Sequence, residues 1–542
     1  MLPSHEPPTR PESPVDSLPC HSETVWVEGG SSADLATDVH LPDAVGRGVP
    51  TLLLRTPYGR AGAIDRVPEL AAAATAAGFA LVTQDVRGRH DSGGEAVPFV
   101  NERVDGAAAL EWVGARPWSN GEILPIGDSY SGYAACAAAS ADAAGVVAVI
   151  ARVTTLRPYD EWLHRDGVFR LDLALPWLDF AFGAADTVLT RPDWDDHGEI
   201  GRLADALPRA LRDRILKAEA GDDWERSSRV DPAQITAPIL HWTGWWDCLG
   251  HGHWEDARRR FATVPGRRDG MIVGPTDHEF HTWSRPADTA EQAGLVVEHA
   301  DRILQLARSG AALPRLVTSA RARRVDHGPK RANARLYLRD AGRALLGPEG
   351  GSLSSRPDAL ASGVAWMHDP AHPVPSLDGW VWGPLHAGLA DETRSQIRED
   401  VATFTTGELR DEELLAGRIR LIVRAGSERR WHLVAALTDV ARDGSATRVT
   451  DGVRLVEGDT TWQSVEVDLG TVAYHMRAGH RLRLSLAASA FPRYPSSPCG
   501  PGAWWRDDLP DPHEIRIQVG PDARLEIELE PLLETLIDGV GR

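Results

Sequence analysis

The chain has 542 residues, of which 42% are hydrophobic and 25% are charged, so its composition is that of a folded protein with two to four domains. Its formal net charge of −20 argues against nucleic acid or an anionic membrane as the main partner. No apolar run reaches the roughly 18 residues that span a bilayer, and four cysteines are too few for a disulfide framework in a chain of this length. These features predict a cytoplasmic enzyme or binding protein.

The N-terminal part of the chain alternates short apolar runs with helical stretches. Residues 1–22 are polar and proline-rich, lack an apolar signal core, and predict a flexible tail. The predicted strands that follow are Thr51–Leu54, Phe79–Gln84 and Ile123–Ile126, and the predicted helices between and after them are Val67–Ala77, Val104–Ala115 and Tyr130–Ser140. Strands separated by helices of this length predict parallel βαβ units, although Pro125 removes a donor from its strand.

The strand signal disappears after about Thr155. Tryptophans among charged segments, such as the predicted helix Pro208–Ala220, indicate a helical insertion that ends near Ile235. Two more buried strands, Ile239–Thr243 and Gly270–Val273, then continue the first layer.

The remainder of the chain has a period of two, which is typical of an antiparallel sandwich or jelly roll. The predicted strands include Arg418–Val423, Arg481–Leu486, Glu514–Val519 and Arg524–Leu529, with turns predicted at Asp443-Gly444, Asp451-Gly452 and Gly479.

One serine stands at a predicted strand-to-helix turn. Ser129 lies in the run GDSYSG, from Gly127 to Gly132. Small flanking residues allow the sharp turn that exposes a nucleophile, and a helix N-terminus offers free N–H groups to a developing oxyanion. Ser131 takes the place of the second glycine in the usual G-x-S-x-G pattern. This context predicts that Ser129 is a nucleophile rather than a serine that only caps the helix.

A hydrolase of this topology carries its acid and base later in the chain, in the order Ser, Asp, His. Asp247 and His278 each follow a predicted strand, so both are expected at the same sheet edge as Ser129. We predict that His278 is the base and that Asp247 orients its imidazole. Asp277 is a rival acid, but a neighbour of the histidine in sequence is poorly placed to bond its Nδ1.

A tyrosine follows the first buried strand. The phenol of Tyr58 is placed to donate to an oxyanion beside the backbone N–H of Tyr130. From the residues alone, a structural role for a loop tyrosine is the commoner outcome.

Eight ordered motifs run through nearly the whole chain. In the first part they are TPYG from Thr56, QDVRGRHDSGGE from Gln84, the GDSYSG turn, WWD ending at Asp247 and GPTDH ending at His278. In the last part they are DPAHPVP from Asp369, DVATFTT from Asp400, and GHR at Gly479 running to FPR at Phe491. In these segments the chain resembles the cocaine esterase/X-Pro dipeptidyl-peptidase (CocE/NonD) family of α/β-hydrolase serine hydrolases.

The resemblance implies the following organisation: an α/β-hydrolase catalytic domain (23–154 and 235–340), an inserted helical cap (155–234), and a C-terminal all-β jelly-roll, galactose-binding-like domain (341–542). The departures are Ser496-Ser497-Pro498, where the family has an asparagine-containing stretch, and a missing Asp-Gly pair at the entry to the first strands. Neither departure involves the predicted catalytic residues.

The resemblance also assigns roles to individual residues. It makes Ser129 the nucleophile, Asp247 the acid and His278 the base. It implies that Tyr58 and the amide of Tyr130 are the oxyanion donors, and that the reaction needs no cofactor. In this family the turn that carries the nucleophile reads G-x-S-Y-x-G, so the resemblance accounts for Ser131 in place of the second glycine of G-x-S-x-G.

Several other polar residues have structural interpretations. The charged loop Asp85–Glu95 is predicted to be structural, with Arg87 and Asp91 holding a buried loop near the site. Four histidines lie near the acid and base segments, namely His241, His251, His253 and His281. Zinc needs three or four convergent ligands, so we predict no metal site. Cys248 is interpreted as a small buried filler.

The predicted activity is hydrolysis of a carboxylic ester or amide through an acyl-enzyme, with a small-molecule ester, amide or short peptide as substrate. Tryptophans are candidates for lining an acyl or alcohol pocket: Trp162, Trp177, Trp242, Trp245 and Trp246.

An X-Pro dipeptidase would need a carboxylate for the substrate ammonium, and the candidates are Asp160, Glu161, Asp166, Asp172 and Asp179. An acylase or acyltransferase acting on an amino-acid or specialised-metabolite substrate is the other alternative. A catalytically silent binding protein is disfavoured by the intact set of Ser129, Asp247 and His278. The sequence leaves open whether the chain forms a homo-oligomer.

Overall fold

The computed structural model describes residues 21–30, 32–43, 48–183, 194, 197–216, 218, 220–263, 268–281, 287–321, 330–331, 333–376, 390–496 and 511–538. The first strand begins at His21, inside the tail predicted for residues 1–22, and residues 1–20 lie outside the described part.

A nine-stranded sheet forms the first layer, in the order β1-β2-β4-β3-β5-β6-β9-β10-β11. Strands in the first part of the chain are β1 (His21–Glu28), β2 (Asp34–Leu41), β3 (Val49–Thr56), β4 (Ala80–Asp85), β5 (Ser119–Asp128), β6 (Val149–Arg152), β7 (His164–Arg165), β8 (Val168–Phe169), β9 (Ile239–Gly244), β10 (Gly270–Gly274) and β11 (Arg315–Val317). At one edge β2 pairs antiparallel with both β1 and β4, and the other pairings of this sheet among the described residues are parallel. The predicted parallel βαβ units are therefore confirmed.

Helices cover both faces of this sheet. The helices of the chain are α1 (Val67–Ala76), α2 (Glu102–Gly114), α3 (Ser129–Ala139), α4 (Leu171–Phe182), α5 (His197–Ala206), α6 (Arg209–Leu211), α7 (Asp223–Ser228), α8 (Gly250–Thr263), α9 (Thr289–Ser309) and α10 (Pro531–Asp538). Successive side chains of a strand point to opposite faces. Accordingly Leu52 and Leu54 of β3 share a core with Val297 of α9, whereas Leu53 packs with Leu110 of α2.

Proline at position 125 is accommodated inside β5. Leu53 of β3 is its partner on one side. On the other side the pairing with β6 is irregular: Ile123 pairs with Val146, but Ile126 pairs with Ile150. The backbone N–H that Pro125 lacks therefore falls where the register between β5 and β6 is already irregular.

The segment between β6 and β9, which we call the cap, contains α4 to α7 and the two-stranded pair of β7 and β8. The sequence predicted only helix here, because strands of two residues are too short to produce an alternating pattern. The predicted helix Pro208–Ala220 is also wrong in detail. It begins as the three-residue α6 and continues as a π-helical turn, Arg212–Leu216. A second π-helical turn spans Pro158–Leu163.

A twelve-stranded sheet occupies the C-terminal part of the chain. Its strands are β12 (Lys330–Arg331), β13 (Ala334–Arg339), β14 (Gly351–Ser354), β15 (Ser362–His368), β16 (Ala402–Thr405), β17 (Glu413–Ser427), β18 (Trp431–Val440), β19 (Ala446–Val456), β20 (Asp459–Met476), β21 (Arg481–Ala487), β22 (His513–Val519) and β23 (Arg524–Glu528). Most pairings are antiparallel, as the period of two predicts. Asp451-Gly452 is not a turn but lies inside β19, where a Cβ on Gly452 would come within 2.3 Å of a backbone oxygen of β20.

Arg87 and Asp91 of the loop Asp85–Glu95 both form ion pairs, as their predicted holding role requires, but only part of the loop is buried. Arg87 pairs with Asp105 of α2, and Asp91 pairs with Arg60 at 2.8 Å while its side chain is 64% exposed. These ion pairs therefore hold the loop at the surface of the sheet, where Asp91 is exposed to solvent.

No helix in the described ranges combines the length and the apolar character needed to cross a membrane. The division of the chain into the predicted domains stays a prediction.

Candidate active site

The chain makes a sharp turn between β5 and α3, and Ser129 stands at its tip. Its φ of 57° lies in the left-handed region, which non-glycine residues rarely adopt and which is found at strained functional turns. A Cβ on Gly127 would come within 2.3 Å of the Ser131 carbonyl carbon, and one on Gly132 within 2.8 Å of the Gly127 oxygen. The two glycines therefore allow the close approach that exposes the Ser129 hydroxyl.

The hydroxyl of Ser129 lies 3.0 Å from Nε2 of His278, and Nδ1 of His278 lies 2.7 Å from Oδ1 of Asp247. Asp247 can only accept at this contact, so Nδ1 carries the ring proton and Nε2 is left to accept from Ser129. The three residues follow β5, β9 and β10, which end at the same edge of the sheet. The structure thus brings together the three residues that the sequence singled out.

The carboxylate of Asp247 is fully buried and held from several sides. Its Oδ1 accepts from Leu249 N at 3.0 Å, and its Oδ2 accepts from Thr243 Oγ1 at 2.8 Å. Burial alone would raise the pKa of this carboxyl, but His278 and these donors hold it below its usual range. Burial opposes protonation of the imidazole, yet Cys248 and Asp247 raise the pKa of His278 well above its ordinary value.

The rival acid has a different task. Asp277 accepts from the backbone N–H groups of Glu279 and His281 and bonds the imidazole of His281 at 3.1 Å. It shapes the turn that carries His278 and makes no hydrogen bond to the His278 ring.

Tyr58 lies beside the serine. Its phenolic oxygen accepts from the indole N–H of Trp177 at 3.0 Å and interacts with the Ser129 hydroxyl. Burial, the largest influence, raises the pKa of the phenol, so the group keeps its proton and can donate. Phe180 stacks on the Tyr58 ring at a centroid distance of 5.7 Å.

Tyr130 contributes its backbone and its side chain in different places. It is the second residue of α3, so its amide N–H has no acceptor within the helix. Its side chain is fully buried away from the serine, donates to Glu102 at 2.8 Å and accepts from Phe99 N at 2.9 Å. Only the amide is therefore positioned for an oxyanion.

A cleft of about 260 Å³ opens onto the serine. Its described lining includes Tyr58, Ala63, Ile64, Asp65, Arg66, Asp128, Ser129, Val153, Phe180, His278, Glu279 and Thr289. Four of the five tryptophans predicted as pocket candidates are buried and are not part of the described lining: Trp162, Trp177, Trp245 and Trp246. Trp177 acts on the site indirectly, through Tyr58, and a direct role of any of the four in binding stays a prediction.

The acidic residues of the cap are engaged elsewhere. Glu161 bonds Arg157 at 3.0 Å and His251 at 3.1 Å, and Asp166 faces Arg454 at 3.6 Å. None of the five candidate carboxylates is part of the described lining of the cleft. The described lining does contain three other carboxylates, which lie outside the cap: Asp65, Asp128 and Glu279.

The four histidines do not converge on one point. His253 accepts from Thr154 N at 3.1 Å and packs against His241, while His251 and His281 bond separate carboxylates. Within the described residues, the ligand-type atoms that do converge are those of Asp247, Cys248 and His278. Both ring nitrogens of His278 are already engaged there, and the absence of a metal stays a prediction.

One residue near the serine escaped the sequence analysis. Asp65 accepts hydrogen bonds from the hydroxyls of Thr56 and Ser131, beside the cleft. A single acidic residue in a loop carries no pattern, so only the folded chain reveals it.

Two family profiles match the chain. The profile of the X-Pro dipeptidyl-peptidase S15 family matches residues 29–279, a segment that includes Ser129, Asp247 and His278. The profile of the X-Pro dipeptidyl-peptidase C-terminal non-catalytic domain matches residues 318–502. Together the two segments cover more than half of the chain, in the order expected from the sequence motifs.

Individual proteins are similar over almost the whole length. The chain is 26% identical over 547 residues to the cocaine esterase of Rhodococcus sp. (strain MB1 Bresler), covering 89% of this chain and 92% of that esterase. An α-amino acid ester hydrolase has the same fold, with a TM-score of 0.76 at 19% identity over 97% of this chain and 98% of its own. An aminopeptidase from the marine sediment archaeon Thaumarchaeota archaeon also has a TM-score of 0.76, at 17% identity over 97% of this chain and 99% of its own. The predicted combination of an α/β-hydrolase with a C-terminal β domain is confirmed.

Proposed function

Because the chain belongs to the cocaine esterase/X-Pro dipeptidyl-peptidase (CocE/NonD) family of serine hydrolases, we propose that it cleaves a carboxylic ester through an acyl-enzyme formed on Ser129. The observation that carries this proposal is the continuous hydrogen-bonded relay from Ser129 through His278 to Asp247. The accessible serine at a strained turn is the arrangement that nucleophilic acyl transfer requires.

In the first half of the reaction, the Ser129 oxygen attacks the ester carbonyl carbon while its proton passes to Nε2 of His278. The carbonyl oxygen becomes an oxyanion, which accepts hydrogen bonds from the Tyr58 phenol and the Tyr130 amide. The bond to the leaving alkoxide then breaks, and His278 returns the proton to it, so a neutral alcohol departs. Asp247 holds the imidazole in the required tautomer and stabilises its charged form.

In the second half, water attacks the acyl carbon and gives a proton to His278. The same two donors stabilise the second oxyanion. Collapse of this intermediate breaks the bond to the Ser129 oxygen, which recovers its proton from His278, and the carboxylic acid leaves. No step requires a cofactor.

An ester is favoured over an X-Pro peptide by the surroundings of the serine. A dipeptidase must hold a free ammonium, and none of the five cap carboxylates considered for that task is part of the described lining of the cleft. Two of them, Glu161 and Asp166, are paired with arginine or histidine instead. The cleft beside Ser129 has an apolar wall of Ile64, Val153 and Phe180 that suits an acyl chain. Acyl transfer to an acceptor other than water uses the same relay and is the remaining alternative.

A side-by-side turnover assay tests the proposal. Wild type and Ser129→Ala are compared on p-nitrophenyl acyl esters and on Gly-Pro and Ala-Pro p-nitroanilides. We expect ester cleavage by the wild type, no cleavage by the variant, and no release from the anilides. Cleavage of the anilides would overturn the ester assignment in favour of an aminopeptidase.

Labelling with a fluorophosphonate probe distinguishes a catalytically inactive protein from an active enzyme that accepts few substrates. Labelling of the wild type but not of Ser129→Ala is the expected result, and an unlabelled wild type would overturn the acyl-enzyme mechanism. A cytoplasmic location and a homo-oligomer stay predictions.

A further inference from the structure

The two proposed oxyanion donors come from separate parts of the chain. Tyr58 lies in the loop after β3, whereas the Tyr130 amide lies in the first turn of α3. An oxyanion site works only when its donors are fixed before the reaction, because reorientation during the reaction removes most of their effect. A contact between the loop after β3 and the start of α3 is therefore needed to fix the position of Tyr58 relative to the Tyr130 amide.

One carboxylate oxygen contacts both parts. Oδ2 of Asp65 accepts from the hydroxyl of Thr56, two residues before Tyr58, and from the hydroxyl of Ser131, the residue after Tyr130, at 3.1 Å. Thr56 and Ser131 are fully buried, so water does not compete for their hydroxyl groups.

The contact with Thr56 extends directly to Tyr58. While the Thr56 hydroxyl donates to Asp65, its oxygen accepts the backbone N–H of Tyr58 at 3.0 Å. Because a hydroxyl has one proton, the bond to Asp65 fixes the direction of that proton and leaves the oxygen free for Tyr58.

Arg66, the residue after Asp65, also links this loop to the turn that carries Ser129. Arg66 pairs with Asp128, just before the nucleophile, at 2.9 Å and reaches Glu279, just after His278, at 3.7 Å. Burial, aided by Asp128, raises the pKa of the Asp65 carboxyl to about 7. Burying a charged carboxylate at this depth costs free energy unless the group is well hydrogen-bonded. The hydrogen bonds from the hydroxyls of Thr56 and Ser131 therefore stabilise the charged form of Asp65.

We propose that Asp65 is a positioning residue of the oxyanion site, which acts through Thr56 and Ser131 to hold the Tyr58 phenol and the Tyr130 amide at their working separation. The inference rests on the proposed function. It concerns stabilisation of the tetrahedral intermediate and not binding of the ground-state substrate.

Variants of Thr56 provide the sharpest test. Thr56→Val removes the hydroxyl with little change of shape, and Thr56→Ser keeps it. Thr51→Val is the matched control, because Thr51 lies on the same strand, is equally buried, and its hydroxyl has no hydrogen-bond partner among the described residues. Each variant is assayed for kcat and KM on a p-nitrophenyl ester. Its affinity for phenylboronic acid, which forms a tetrahedral adduct with an active serine, is measured in parallel.

We expect Thr56→Val to lower kcat by about tenfold or more, because small displacements of catalytic groups are costly, while KM stays within about threefold. Boronate affinity should fall by a similar factor. Thr56→Ser and Thr51→Val should stay within about twofold of wild type. The proposal is overturned if Thr56→Val behaves like Thr51→Val, or if its loss appears in KM and leaves boronate affinity unchanged.

A double-mutant cycle tests the other contact. Asp65→Asn and Ser131→Ala should each lower kcat, and the double variant should lose less than the product of the two factors. Multiplicative losses would contradict the proposal. If Asp65→Asn does not fold, the Thr56 series decides alone. A wild type that neither turns over esters nor reacts with the probe would instead overturn the proposed function, so the two failures are distinguishable.

Discussion

The indole N–H of Trp177, in helix α4 of the cap, donates to the phenolic oxygen of Tyr58 across 3.0 Å. Helix α4 of the cap therefore contacts Tyr58 through this directed hydrogen bond as well as through the stacking of Phe180. The Tyr58 oxygen accepts from Trp177, so its own proton remains available for a second hydrogen bond, on the side where Ser129 lies in the mechanism proposed above.

This contact leads to the first prediction. Tyr58→Phe should lower kcat by about a hundredfold with little change in KM, because a donor to the oxyanion is lost. Trp177→Phe should have a smaller effect, about three- to tenfold, since the phenol remains but loses its orientation. Steady-state kinetics on a p-nitrophenyl ester measures both.

Trp254→Phe is the control for loss of indole volume. Trp254 is buried, and its indole N–H has no acceptor in the described part of the chain. The variant should lose stability without a comparable loss of kcat. Equal losses of kcat in Trp177→Phe and Trp254→Phe would show that the hydrogen bond to Tyr58 has no catalytic role.

The second prediction separates the two candidate acids. Asp247→Asn should lower kcat by about 10⁴-fold, because an amide no longer selects the tautomer that leaves Nε2 of His278 free to accept a proton. Asp277→Asn should keep kcat within about fivefold and lower the free energy of unfolding by about 1 kcal/mol, through weaker bonds to the turn. Kinetics and thermal unfolding of both variants provide the measurement. A larger kcat loss in Asp277→Asn would reverse the assignment.

The positions of Asp247 and His278 could be predicted because each residue follows a strand of the parallel sheet. The chain order of strand, glycine, serine and helix placed Ser129, and the next parallel strands placed Asp247 and His278 at the same edge. The period of two likewise predicted the C-terminal strands, since one face of each strand is buried.

Contacts between loops could not be predicted in this way. Neither Asp65 nor the donation from Trp177 to Tyr58 follows from a periodic pattern, because both depend on how separate loops pack. The same limit explains why the sequence could not show which tryptophans are buried, since their size suits a pocket wall and a core equally. It also applies to Glu161 and Asp166 of the cap, because their partners His251 and Arg454 lie far away in the sequence.

The third prediction concerns the turn at the nucleophile. Gly127→Ala should abolish probe labelling and destabilise the fold by about 2 kcal/mol, because the new Cβ would come within 2.3 Å of the Ser131 backbone. Gly114→Ala, at the end of α2 with no atom within 4 Å of the added Cβ, should be neutral or slightly stabilising. Labelling rates and thermal midpoints test the pair. Normal labelling of Gly127→Ala would mean that the turn tolerates a side chain.

The fourth prediction is a pH dependence of stability. His251 of α8 lies between Glu161 of the cap, at 3.1 Å, and Asp468 of the C-terminal sheet, at 3.5 Å. Burial opposes its charge, but Glu161 and then Asp468 raise the pKa of His251 to about 9, against Arg165. A raised folded-state pKa stabilises the fold fully below the unfolded value of about 6.5, and this stabilisation is lost as pH rises through 9.

The measurement compares thermal midpoints of wild type and His251→Gln between pH 5.5 and 9.5. The wild type should be more stable by about 2 kcal/mol below pH 6.5, and the difference should shrink steadily towards pH 9. A difference that is constant over this range would mean that the charge of His251 is not involved.

Ser129 and His278 are separated by 149 residues, with the whole cap between them. Closing a loop of this length carries an entropic cost, and contacts between distant residues form late in folding. A chain still under synthesis therefore has a nucleophile without a base until residue 278 has emerged and β10 has docked on β9. On the proposed mechanism this order of the chain keeps the growing polypeptide without a complete relay, and the first appearance of probe labelling during refolding would mark the docking of β10 on β9.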